Sequence, residues 1–126
     1  MGYRIDYVVR DGTLAAVVRG KSSLAQAAWI AQDIAEQAAR HAARRLLIDL
    51  RGLVDRVGAL GTLLLAPAAV ERCRVAVLDV PEYDAYYAFP ETAARVKGHD
   101  LRYFASPAAA LDWLGTTAAA DGERRA

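Results

Sequence analysis

Two apolar runs, each ending at a carboxylate and a turn, constrain this chain more than any other feature: Leu46-Leu47-Ile48-Asp49-Leu50-Arg51-Gly52 and Arg74-Val75-Ala76-Val77-Leu78-Asp79. A strand covered on both faces has no wet side to alternate with. Its sequence therefore turns continuously aliphatic, and the first polar residue marks where it leaves the sheet. Both runs predict buried parallel strands, the first at the centre of a sheet. In open α/β sheets the carboxyl ends of such strands are where ligands and partners are met.

The elements around these runs follow from local chemistry. Tyr3, Ile5, Tyr7 and Val9 alternate with Arg4, Asp6, Val8 and Arg10, and after Asp11-Gly12 the apolar stretch Leu14 to Val18 resumes. This predicts an antiparallel hairpin, since a two-residue hairpin turn needs positive φ. Gly20-Lys21-Ser22-Ser23 ends the second strand and offers a serine cap for a helix reaching about Ala43. Leu24, Ala27, Ala28, Ala31, Ile34, Ala35, Ala38 and Ala42 form its apolar stripe, and Trp29 falls on the polar side among Gln26, Asp33, Glu36 and Arg40.

Beyond Gly52, Val57 to Ala66 predicts a short helix stopped by Pro67. After the strand Arg74 to Val80, Pro81 opens a tyrosine-rich segment, and Pro90-Glu91 starts a helix ending near Gly98. Leu101 to Phe104 predicts a last strand. Ser106-Pro107 then reads as an N-cap and a first-turn proline, opening a helix through Trp113 that Gly115 closes. The expected order, β-β-α-β-α-β-α-β-α, is one α/β domain: a mixed sheet with an N-terminal antiparallel hairpin followed by β-α-β-α-β-α units. Residues 1–115 form that domain, and 116–126, without apolar periodicity, read as a disordered tail.

Composition narrows the function classes. With 126 residues the chain suits a single core, and a net charge of +1 supplies no field for gathering nucleic acid or anionic membrane. The lone Cys73 precludes an internal disulfide and reads as a buried small hydrophobe in a reducing compartment. No apolar stretch is long enough for a membrane span and no signal-type leader opens the chain, so a cytoplasmic protein is expected. His41 and His99 have no metal-ligand spacing with each other or with Cys73, so neither a metal nor a cofactor is expected.

Three segments carry a resemblance: Leu47-Ile48-Asp49-Leu50-Arg51-Gly52, Arg74-Val75-Ala76-Val77 leading toward Phe89, and Val96 to Phe104 followed by Ala109-Ala110-Leu111-Asp112-Trp113-Leu114. Together they resemble the STAS fold of anti-sigma-factor antagonists, in its SpoIIAA-like branch, with the CRAL-TRIO lipid-binding fold as a relative. The resemblance implies a noncatalytic regulatory module in which the loop after the central strand and the next helix meet a protein partner. In STAS antagonists a serine opening that helix is phosphorylated. Here the matching stretch, Asp55 to Thr62, holds no serine and only Thr62 as a hydroxyl, so the usual phospho-serine switch is not expected.

Four groups of residues are candidates for function. Lys21, Arg51 and Arg56 leave the carboxyl edge and could hold a partner or an anion by charge-assisted hydrogen bonds. Tyr83, Tyr86, Tyr87 and Phe89 could line a pocket for a small apolar or lipid-like ligand, or pack as core. Trp29 is a candidate anchor for a protein partner or a homodimer. Gly20-Lys21-Ser22 matches only the end of a phosphate-binding loop, because Ala15 stands where that motif needs glycine. Asp49 and Asp79 share the carboxyl edge, but no nucleophile accompanies them, so no enzyme activity is expected.

Overall fold

The computed structural model describes residues 2–21, 24–54, 73–80 and 100–115. The predicted helices over 57–66 and 90–98, the tyrosine-rich segment and the 116–126 tail lie outside these residues.

The hairpin forms as the alternation requires. Strand β1 (Tyr3–Arg10) pairs antiparallel with β2 (Thr13–Lys21), running from Tyr3 opposite Gly20 to Arg10 opposite Thr13. Asp11 and Gly12 between them both have positive φ, 51° and 78°, the pair of left-handed residues that lets a two-residue turn follow the twist of its strands. Helix α1 (Leu24–Arg40) then crosses to β3 (Arg45–Val54), which lies parallel to β2. Strands β4 (Arg74–Leu78) and β5 (Asp100–Phe104) add in parallel, giving a five-stranded sheet in the order β1-β2-β3-β4-β5. The Leu46–Leu50 run therefore occupies the central strand, as its composition predicted.

Helix α1 covers one face. Ile30, Ala31, Ile34, Ala35 and Ala38 are buried against Leu14, Ala16 and Val18 of β2, Leu46, Ile48 and Leu50 of β3, and Val75 and Val77 of β4. Small residues on the helix let it lie close to the sheet, where the β-branched and leucine side chains fill the space. A second helix, α2 (residues 107–115), covers part of the opposite face, where Ala110 and Leu114 pack on Ala76 with Leu47, Phe104 and Trp113 around them. Ser106 caps it, its hydroxyl accepting from the Ala109 N–H at 3.3 Å.

The reading of both apolar runs as covered on two faces holds for β4, where Val75 to Leu78 are all buried. It fails for β3. Leu46, Ile48 and Leu50 are buried under α1, whereas Leu47 and Asp49, on the other face, are only half-buried. Among the described residues, α2 reaches Ala76 fully but lies beside Leu47 without closing over it.

The predicted stripe of α1 needs two corrections. Ile30 belongs to it, 3% exposed; Ala42 does not, and Leu24, Ala27 and Ala28 lie outside the described side chains. Ala42 instead caps the helix end in the left-handed region with φ 49°, while the Ala43 N–H donates to the Ala38 carbonyl at 2.9 Å and the Ala42 N–H to the Ala39 carbonyl at 3.1 Å. That pair of bonds is a Schellman closure, in which glycine normally takes the left-handed position. An alanine there carries the Cβ clash of that conformation. Replacing Ala42 with glycine is expected to stabilise the fold by roughly 0.5–1 kcal/mol, the clash relieved less the greater chain entropy of glycine; urea denaturation would measure it.

Candidate partner-binding edge

All four parallel strands end on one side of the sheet, and the end of β3 is irregular. Val17 of β2 faces Asp49, but Arg19 faces Gly52, so β3 carries one more residue than its neighbour across this stretch. This is a β-bulge. It resets the alternation: Leu46, Ile48 and Leu50 point into the core before it, and Leu53, 1% exposed, does so after it. The strands continue past the bulge, Gly20 pairing with Leu53 and Lys21 with Val54. Lys21 and Arg51 thus stand on strand extensions, where a loop was expected, because the ladder regains register beyond the extra residue.

Asp49 holds the bulge. Its Oδ1 accepts from the Arg51 backbone N–H at 3.0 Å and from Arg51 Nε at 3.0 Å, and its Oδ2 accepts from Arg51 Nη2 at 2.9 Å. The guanidinium fork is thereby filled by a carboxylate two residues back in the same strand. Partial burial pushes the Asp49 carboxyl upward, but the Arg51 side-chain and main-chain hydrogen bonds, with the charges of Arg51 and Arg19, outweigh it and hold the group below its ordinary pKa. The hydrogen bond to Asp49 raises the Arg51 guanidinium in turn. At neutral pH the bulge presents an ion pair of fixed geometry, with Arg51 at 43% side-chain exposure and Asp49 at 14%. Beside it Val54 is 51% exposed, a sizeable apolar surface on a strand end.

Asp79, directly after β4, is fully buried. Its Oδ1 accepts from the Val80 N–H at 2.8 Å, and its own N–H donates to the Phe104 carbonyl at 3.0 Å, fastening β4 to β5. Asp49 faces Leu78 in the register, and Asp79 lies one residue beyond the end of β4. The two carboxylates are therefore not a cross-strand pair.

Other sequence candidates fall as follows. Gly20 and Lys21 are paired in β2, so Gly20-Lys21 is ladder and forms no phosphate-cradling loop; Ser22 lies outside the described residues. Trp29 is 60% exposed, as the polar side of α1 requires. Arg56, Tyr83, Tyr86, Tyr87 and Phe89 lie outside the described residues. Cys73 is 3% exposed with its thiol against the Ala43 carbonyl at 3.3 Å, and burial pushes its pKa up, so it stays an uncharged core group. No group of three or more His, Cys, Asp or Glu side chains is placed to hold a metal among the described residues, and no described helix is long and apolar enough to cross a membrane.

The backbone as a whole resembles solved structures. An anti-sigma factor antagonist from Mycobacterium paratuberculosis superposes with a TM-score of 0.64 at 16% identity, covering 88% of this chain and 92% of that one. The chain has a SpoIIAA-like fold. A second structure, an uncharacterized DUF3478-family protein with a SpoIIAA-like fold from Shewanella loihica, matches with a TM-score of 0.52 at 18% identity over 90% of this chain and 93% of that one. No family model and no curated protein matches the sequence. The SpoIIAA-like assignment accordingly rests on backbone architecture, and the bulge with its Asp49–Arg51 pair is described from this chain's own residues.

Proposed function

We propose that this chain is a noncatalytic regulatory module of the STAS type that binds a protein partner at the carboxyl ends of β2 and β3, and that it works without a phospho-serine switch. The bulge in β3 carries the reading. It sets the Arg51–Asp49 pair, Lys21 opposite Val54, and the exposed Val54 side chain on one rigid strand end, and bulges recur where a strand re-aims side chains for contact. The likeness to an anti-sigma factor antagonist supports a protein as the occupant. Arg56, at the start of the adjoining segment, would extend the contact surface, as the sequence resemblance implies.

The charge balance favours protein over a free anion. Arg51 already has a carboxylate in its fork, so an incoming phosphate would have to displace a chelate of two side-chain hydrogen bonds, whereas a partner can pack on the pair and on Val54 as they stand. Affinity capture from the source organism, with wild type compared against Arg51→Ala and Val54→Asp, tests this. A partner held by wild type is expected to weaken roughly tenfold or more with Val54→Asp, a charge placed in an apolar contact, while the melting temperature stays close to wild type. Equal retention by both variants would reject the surface.

A second reading, a small apolar or lipid-like ligand, has one observation in its favour. On the second face, at the opposite end of the parallel strands, a cavity of about 500 Å³ is lined by Val8, Ala15, Leu47, Leu111 and Leu114, with Arg45 at its polar side. Native mass spectrometry of the protein purified from cells distinguishes the two: a copurifying amphiphile supports this reading, and bare protein leaves the cavity as incomplete packing beneath α2.

A further inference from the structure

Among the described residues strand β1 is the outer strand of the sheet, with β2 on one side and no strand on the other. The Lys21 N–H donates to the Gly2 carbonyl, and the two-residue turn joins Arg10 to Thr13, so Arg4, Asp6, Val8 and Arg10 direct their main-chain groups toward β2. Those of Tyr3, Ile5, Tyr7 and Val9 consequently point off the edge. An unpaired edge of this length is one that proteins ordinarily blunt or use.

Charge selects how two such edges could pair. In an antiparallel pair of β1 strands the outward residues must face one another, which leaves symmetric registers centred at successive positions along the strand. Centring on Arg4 sets Arg4 against its own copy, centring on Asp6 does the same for Asp6, and centring on Tyr7 sets Arg4 against Arg10. Only centring on Ile5 or on Val8 places arginine opposite aspartate, Arg4 against Asp6 in the first and Arg10 against Asp6 in the second. The Ile5 register joins Tyr3 with Tyr7, Ile5 with Ile5 and Tyr7 with Tyr3, three hydrogen-bonded pairs. The Val8 register runs into the Asp11-Gly12 turn after two.

The neighbouring surface of α1 decides between them. Trp29, 60% exposed, lies with Tyr3, Gln32, Asp33 and Glu36 around a single shallow depression beside the edge. The Tyr7 hydroxyl donates to Asp33, tying the same edge to the helix and holding the Tyr7 proton through burial and that carboxylate. With Ile5 on the two-fold axis, Tyr3 of one copy meets Tyr7 of the other, and Trp29 is carried into the seam between the two helices. On the opposite face Arg4 and Asp6, with side chains 77% and 37% exposed, already pair within the strand, Arg4 Nε to Asp6 Oδ1 at 3.1 Å, and the Ile5 register offers each the same partner from the other copy. Centring on Val8 leaves Trp29 in water.

We infer that the chain forms a two-fold dimer by antiparallel pairing of β1 strands about Ile5, giving one continuous sheet through both copies, with Arg4–Asp6 pairs on one face and Trp29 closing the other. The inference rests on the outer edge of β1 and on Trp29, and uses neither the Asp49–Arg51 pair nor Val54 of the proposed partner-binding surface.

Sedimentation velocity on the full chain and disulfide trapping test it together. Residues facing one another as a hydrogen-bonded pair have Cα atoms about 5.5 Å apart, within the span of a disulfide. Under mild oxidation Ile5→Cys is expected to trap a covalent dimer and Val8→Cys to stay uncrosslinked. Arg4→Asp is expected to weaken the dimer roughly tenfold or more, since both symmetric pairs become like charges. Adding Asp6→Arg to it restores opposite charges across the axis and is expected to recover dimerisation. Trp29→Ala weakens it without changing the fold of the monomer. A wild-type monomer at 100-micromolar-order concentration (about 10⁻⁴ M, the weak end of specific association), preferential crosslinking through Val8→Cys, or no recovery in the charge-swapped variant would each overturn the inference.

Discussion

Ile48→Ala is expected to destabilise the protein by roughly 3–4 kcal/mol, and Leu47→Ala, its neighbour on the same central strand, by about 1–2 kcal/mol. The difference comes from the two faces. Ile48 is 1% exposed, flanked in the sheet by Ala16 and Val77 and roofed by α1, so truncation leaves a void that neighbours held in regular strands and a helix can close only in part. Leu47 is flanked by Ala15 and Ala76 but borders the cavity beside Leu111 and Leu114, so part of its side chain already lacks neighbours and there is less to lose. For a domain of this size each kcal/mol corresponds to about 4 °C, so thermal melts should separate the two variants by roughly 8 °C. Equal losses would mean that the second face is sealed as tightly as the first.

That contrast also shows what a sequence of this kind reveals. The Asp11-Gly12 turn and the Ser106-Pro107 cap are local, each depending on residues within a few positions, and both stand as the chain's pattern indicates, while the α1 stripe does so from Ala31 to Ala38 but gains Ile30 and loses Ala42. The central position of Leu46 to Leu50 was legible because only strands with neighbours on both sides are apolar for so long. How completely each face is covered depends on where another element stops, and the run Leu46-Leu47-Ile48 reads the same whether its second face is sealed or only partly shielded. The bulge was hidden for the same kind of reason. It exists only as a mismatch between β2 and β3, Val17 against Asp49 and then Arg19 against Gly52, and no single strand records a register. One trace was present: an aspartate and an arginine two apart on a strand share a face, the spacing that lets Asp49 close on Arg51.

Gly20→Ala should be among the most damaging single-atom additions to the sheet, costing roughly 3 kcal/mol. Gly20 has φ 108°, a conformation that L side chains rarely adopt, and a Cβ built on it would lie 2.2 Å from the Gly2 carbonyl oxygen and 3.0 Å from Tyr3 Cα. Both obstacles are backbone, so no rotamer change can relieve them. The same Gly2 carbonyl accepts the Lys21 N–H, which means the first strand cannot retreat without giving up the bond that starts the hairpin ladder. Gly52 is the control. Its added Cβ would meet the Arg19 Cγ at 3.0 Å, the stem of an exposed and flexible side chain, so Gly52→Ala should cost under about 1 kcal/mol. Hydrogen exchange gives the sharper readout: in Gly20→Ala the N–H of Lys21 should lose protection first, because the strain is relieved most cheaply by peeling Gly2 and Tyr3 off β2. Since Tyr3 is one of the residues that pair across the proposed two-fold axis, the same variant should also dissociate the dimer while β3 and β4 stay protected. If Gly20→Ala were as mild as Gly52→Ala, the close approach of β1 to β2 at this end, and with it the glycine of the Gly-Lys-Ser sequence as a packing residue, would be refuted.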